Sequence, residues 1–169
     1  MKNINHSEFL KYGKAYEKQC AKNVSTKLGW TFVEASRHED INDHIDIKFL
    51  KKDNDIVTVD VKGPRKISRS DKDYSTNSTW VELKNVNGKP GWLYGKSDYI
   101  AFINKNFTYL TKTSKLASKV EKKIYGMKTV TRNPKKEYIP YQRFGRKDKI
   151  VLVPIEDIIK LSDICLSNN

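Results

Sequence analysis

The sequence predicts an α/β protein, a single domain of 169 residues with a mixed β-sheet flanked by helices. Three observations predict it. Phe9, Tyr12, Tyr16, Cys20, Val24 and Leu28 recur every three or four residues, and Leu116, Val120 and Ile124 repeat the spacing later, so helices stand near both ends of the core. Between them, residues 45–50 and 56–61 are short β-rich runs bounded by turn formers. Residues 98–103 (DYIAFI) are almost continuously apolar, the mark of a strand covered on both faces.

The elements follow in order. A helix is expected from a cap at Asn5 or Ser7 to about Leu28, where Gly29 stops it. Glu17 lies beside its apolar stripe and can lean toward the sheet. Residues 30–35 read as a strand, 37–43 as a charged connection, and His44 as an exposed loop histidine. Residues 45–50 and 56–61 form a hairpin around the polar turn Lys51-Lys52-Asp53-Asn54-Asp55. Gly63-Pro64 ends the second strand, and 65–79 is a basic loop. Residues 80–84, a turn at 87–91 and a return at 92–94 predict a second hairpin. Its Trp80, Trp92 and Tyr94 either enter the core or stack on bases. The strand at 98–103 turns through 104–106 into another at 107–110. A helix runs from Thr111 or Thr113 to about Ile124, with lysines opposite its apolar stripe. Residues 125–143 are irregular and basic, and 142–147 form a compact basic loop. A last strand spans 149–153, Pro154 opens a short helix, and the tail beyond is expected to fray. No repeat and no domain linker is visible.

Composition narrows the function. With 31% charged residues and a mean hydropathy of -0.71, yet recurrent apolar runs, the chain reads as soluble and folded. No apolar stretch approaches the roughly 20 residues that cross a bilayer, and the N-terminal residues do not read as a signal peptide. The expectation is a cytoplasmic protein with no membrane partner, no organic cofactor, and reduced, buried thiols at Cys20 and Cys165. Two cysteines and three histidines make no zinc pattern. The net charge is +13, and residues 112–149 hold thirteen Lys and Arg against three acids. That distribution suits a bound polyanion.

Against this basic background Asp46 and Asp60 make a locally acidic spot. Strand alternation puts Ile56, Thr58, Asp60 and Lys62 on one face, and Val57, Val59 and Val61 on the other. Two carboxylates and an ammonium at one sheet edge are costly to bury unless a divalent cation and an anion lie between them. Mg²⁺ and a phosphate meet both needs. Arg65, Lys66 and Arg69 follow just past the spot, and Arg143, Arg146 and Lys147 crowd the later loop; all six are candidate phosphate contacts.

Asp46 followed by Asp60-Val61-Lys62, with Glu17 in the first helix within GKAYEKQ, resembles the PD-(D/E)XK nuclease signature. The likeness covers roughly residues 8–125, with 126–169 as a basic extension. GWLYGKSDYIAF and YQRFGRKD look like pieces of small phage-type or Holliday-junction-resolvase-like members. No proline precedes Asp46, where many members have one. The resemblance implies a restriction-endonuclease-like core and a Mg²⁺-dependent deoxyribonuclease, with Mn²⁺ able to substitute. It implies DNA as partner, a homodimer in the resolvase case, and a bacterial or phage setting. Asp46, Asp60 and the Val61 carbonyl would hold the ion, Glu17 would assist, and Lys62 would serve the attacking water. Acid-x-Lys occurs four times in this lysine-rich chain, so Glu82/Lys84 with Asp60 as leading acid stays open as a second assignment. Also open are a DNA-binding protein that does not cut and a basic RNA-binding or ribosome-associated protein.

Overall fold

A computed structural model describes residues 6–68 and 70–169 of the chain, with the side chains of 6–11 left aside. Asn5 and Arg69 lie outside the described residues. The architecture is mixed α/β. Helix α1 (His6–Leu28) has Ser7 inside it and ends at Gly29, whose N–H reaches the Ser25 carbonyl at 2.9 Å. Strands β1 (Thr31–Glu34), β2 (Ile47–Leu50) and β3 (Ile56–Lys62) form an antiparallel meander. The β2–β3 turn closes through Asn54, at φ 66, a conformation that asparagine tolerates.

Strand β5 (Tyr99–Ile103) adds to β3 in parallel, and β6 (Phe107–Lys112) pairs with β5 antiparallel. The six-stranded sheet runs β1-β2-β3-β5-β6-β8. Its last member, β8 (Ile164–Ser167), is built from the tail that the sequence predicts to fray. Leu166 is buried there, and Asn168 bonds Asn23 and Thr108 at 2.9 and 2.8 Å, so packing and polar bonds hold what composition alone does not.

The expected second hairpin forms only at its turn: Lys84 and Pro90 make an isolated antiparallel bridge, and the Asn85 and Gly91 N–H groups reach the Lys89 and Leu83 carbonyls at 2.9 and 3.0 Å, but residues 92–94 do not continue as a strand. Strand β4 (Ser78–Lys84) pairs instead with β7 (Lys149–Pro154) in a separate two-stranded sheet. Trp92–Tyr94 is one turn of 3₁₀ helix. At Gly91 the returning chain lies so close to β4 that a Cβ would sit 2.3 Å from the Glu82 carbonyl oxygen, an approach that glycine permits.

Two cores follow from strand alternation. Cys20, Ala21 and Val24 of α1 pack on Ile47, Phe49, Val57, Val59, Ala101, Ile103, Leu110 and Leu166. On the opposite face, Ile100, Phe102 and Tyr109 pack with β4, β7, helix α2 (Thr113–Ile124) and helix α3 (Ile155–Leu161). Cys20 is buried, which pushes its thiol up to about 12, whereas Cys165 is exposed, against expectation. No helix of the described residues is long and apolar enough to cross a membrane.

Candidate active site

The site is built by the β2–β3 hairpin. The register pairs Asp60 with Ile100 and Lys62 with Phe102, so both side chains leave the sheet on the side away from α1. Asp60 is 1% exposed. Its Oδ1 accepts a short hydrogen bond from the Lys62 ammonium, while its Oδ2 has no partner. Burial pushes its carboxyl up to about 7; the Lys62 charge opposes this and the Asp46 charge adds to it. An acid so placed calls for a cation.

Asp46 does not belong to β2, which begins at Ile47, one residue past it. It is nevertheless fixed. Its N–H donates to the Val59 carbonyl at 2.9 Å, and its Oδ2 accepts the Val61 N–H at 2.7 Å. Val59 and Val61 therefore turn their main-chain groups toward Asp46, and alternation puts the Val61 carbonyl on that same edge. Two carboxylates and one carbonyl are an all-oxygen donor set, which suits a hard divalent ion, and the orphaned Asp60 Oδ2 is the atom such an ion would satisfy. Among the described residues no three His, Cys, Asp or Glu side chains form a ready-made cage.

Glu17 stands apart from the two aspartates. It lines a groove between α1 and β1 with Ala21, Phe32, Glu34 and Ile47, on the helix side of the sheet, and is bonded to Lys14 at 2.5 Å. Burial raises its carboxyl, Lys14 counters that, and the Asp46 charge raises it further, so Glu17 lies within the field of the site without touching it.

Three residues join the site from elsewhere. The Lys62 ammonium lies 5.1 Å from the centre of the Trp92 ring, which stands edge-on to Phe102. Glu82, the acid of the second assignment, is half-buried and raised by burial. The Trp92 N–H and then the Lys62 and Arg143 charges hold it down, so it faces the same lysine as Asp60. Its companion Lys84 is exposed at the end of β4, beside Lys149. His44 was expected to be an exposed loop residue. It is half-buried against Gly95, at φ 54, and burial followed by the Lys62 charge lowers its pKa, while the Asp46, Asp40 and Asp43 charges oppose the shift.

The candidate phosphate contacts divide. Arg65, Arg146 and Lys147 are exposed. The Lys66 ammonium is tied to the Asp71 carbonyl at 2.8 Å, and the Arg143 guanidinium to Asp148, which is fully buried. Arg69 is outside the described residues. The Arg143–Lys147 loop lies beside Glu82, because Ile150 pairs with Glu82 across β4 and β7. The basic loop thus borders the acidic corner, although eighty residues or so separate them in the chain. No family model matches the chain, and neither a curated protein nor a solved structure matches it.

Proposed function

We propose that the protein is a Mg²⁺-dependent DNA endonuclease, cutting phosphodiester bonds at the Asp46–Asp60–Lys62 corner of a restriction-endonuclease-like core. One observation carries the reading: a buried Asp60 carboxylate with a free Oδ2, set beside a second carboxylate and next to a basic loop. Asp46, Asp60 and the Val61 carbonyl would hold Mg²⁺, and Mn²⁺ suits the same oxygens. Bound there, the ion lowers the pKa of water and offsets charge growing on the scissile phosphate.

The chain's own groups do the rest. Lys62 orients or deprotonates the attacking water and balances the charge of the transition state. Its contacts with Asp60 and Trp92 hold it in place beforehand. The Lys62 charge also acts on Glu82, whose carboxyl it holds down. Arg65, Arg146 and Lys147 supply phosphate contacts that position the strand. By the resemblance, the products carry a 5′-phosphate and a 3′-hydroxyl.

One observation favours a second reading, DNA binding without cleavage: the Lys62 ammonium is bonded directly to Asp60 and so takes up one of that carboxylate's two oxygens. Labelled duplex, single-stranded, flapped and four-way-junction DNA, incubated with Mg²⁺, Mn²⁺ or EDTA, separates the two. Metal-dependent cutting is expected, reduced about 100-fold or more in Asp60→Asn and in Lys62→Ala. Asp60→Asn should still bind DNA at least as tightly as wild type. Tight binding with no cutting in either metal would make the second reading the right one.

A further inference from the structure

We propose that Phe144 is an aromatic wedge that stacks on an unpaired base, so that the protein binds DNA carrying a single-stranded flap or branch in preference to continuous duplex. The inference rests on the reading of this protein as a DNA-cutting enzyme, and it names the feature of the substrate that enzyme selects.

Phe144 is 95% exposed, more than any other large apolar side chain among the described residues. Scattered apolar residues on a surface are ordinary. This one differs in how it is held. Tyr141 and Ile150 exchange N–H to carbonyl bonds at 2.8 and 2.9 Å, which closes a hairpin around residues 142–149. At its tip the Arg146 N–H reaches the Arg143 carbonyl at 3.1 Å, and the Gln142 side-chain amide donates to the Arg146 carbonyl at 2.6 Å. Gly145 takes φ 71, which a side chain at that position would strain. Arg143 is anchored on buried Asp148 by both its N–H and its guanidinium, and the Tyr141 ring packs at a tilt against Trp80, 5.9 Å between ring centres. The ring therefore stands on a braced turn and cannot relax into the core.

Its neighbours in the turn are Arg143, Arg146 and Lys147. A bare ring between cations suits a base flanked by its phosphates. Stacking needs no hydrogen bonds, so it accepts any of the four bases, but only one that has left its own stack. The base of this hairpin pairs with Glu82 through Ile150, and the charges of Arg143 and Lys62 both act on Glu82, so a base caught on the turn lies on the Lys62 side of the molecule.

The test measures the affinities of a labelled flapped DNA and of continuous duplex by fluorescence anisotropy in EDTA, where no cutting interferes. In Phe144→Ala the flap-to-duplex affinity ratio is expected to fall about tenfold. Phe144→Trp should restore it. Arg146→Ala should weaken both substrates alike and leave the ratio unchanged. An unaltered ratio in Phe144→Ala, or an equal loss on both substrates, overturns the wedge. Cleavage by wild type in Mg²⁺ and Mn²⁺ is scored separately. A ratio that moves with no cutting upholds the wedge and removes the nuclease reading; cutting with an unmoved ratio does the reverse.

Discussion

Asp148 is fully buried, and its partner is Arg143. Taking away one member of such a pair leaves an uncompensated charge in a dry place. Arg143→Ala should therefore cost about 3 kcal/mol of stability, read as a fall in the midpoint of chemical unfolding. Arg146→Ala and Lys147→Ala should stay within about 0.5 kcal/mol of wild type, because both side chains are exposed. Equal stability in all three variants would mean that Asp148 is satisfied without Arg143. The sequence makes all three look alike, as one run of phosphate-seeking cations. What separates them is the burial of a single aspartate, a tertiary fact. At the Asp46–Asp60–Lys62 corner the residues were more legible. Period-two alternation places Asp60 and Lys62 on one face whatever the rest of the chain does, and a hairpin of that length brings Asp46 opposite. Trp92 and His44 were harder to place beside Lys62, and Glu82 stood only as a rival acid, because each comes to the corner from a segment that no local pattern links to it.

At the scale of elements, local signals sufficed where the partner was adjacent in the chain. The β1–β2–β3 meander, β5–β6 and the two later helices follow from turn residues and apolar spacing. They failed where pairing was long-range. NGKPG between two apolar runs is a fair hairpin signal, yet β4 finds its partner some seventy residues on, at β7. The last strand is the same case. Nothing in KLSD or ICLSNN marks an edge strand, but β6 offers a free edge, and Asn23 in α1 bonds both Thr108 and Asn168, at 3.3 and 2.9 Å. That bond set is testable. Asn23→Ala should cost about 1 to 2 kcal/mol, since it leaves buried polar groups short of a partner. A chain cut after Leu161 should lose far more, because β6 then exposes its edge and Leu166 leaves the core. A truncated chain as stable as the full one would make β8 an ornament of the sheet.

The whole molecule is polarised. Carboxylates gather at the β2–β3 corner, while thirteen Lys and Arg against three acids mark residues 112–149. Three of those cations, Lys115, Lys119 and Arg143, are in ion pairs with Asp163, Asp157 and Asp148. Most of the others carry no such bond among the described residues, and they are what a polyanion would neutralise. A solubilising excess of charge and a working DNA surface make different demands on salt. If the surface contacts about six phosphates, affinity for duplex DNA should fall about a thousandfold between about 50 and 200 mM salt, with log K linear in log salt. Arg146→Ala and Lys147→Ala should each flatten the slope by about 0.9, the share of one phosphate. Asp60→Asn in EDTA should leave it unchanged, because that side chain is buried against Lys62 and does not reach the surface. A shallow slope in wild type, insensitive to both basic substitutions, would assign the charge to solubility and take DNA away from this face. The slope is the more searching measurement of the two properties, because it counts contacts where a single affinity only sums them.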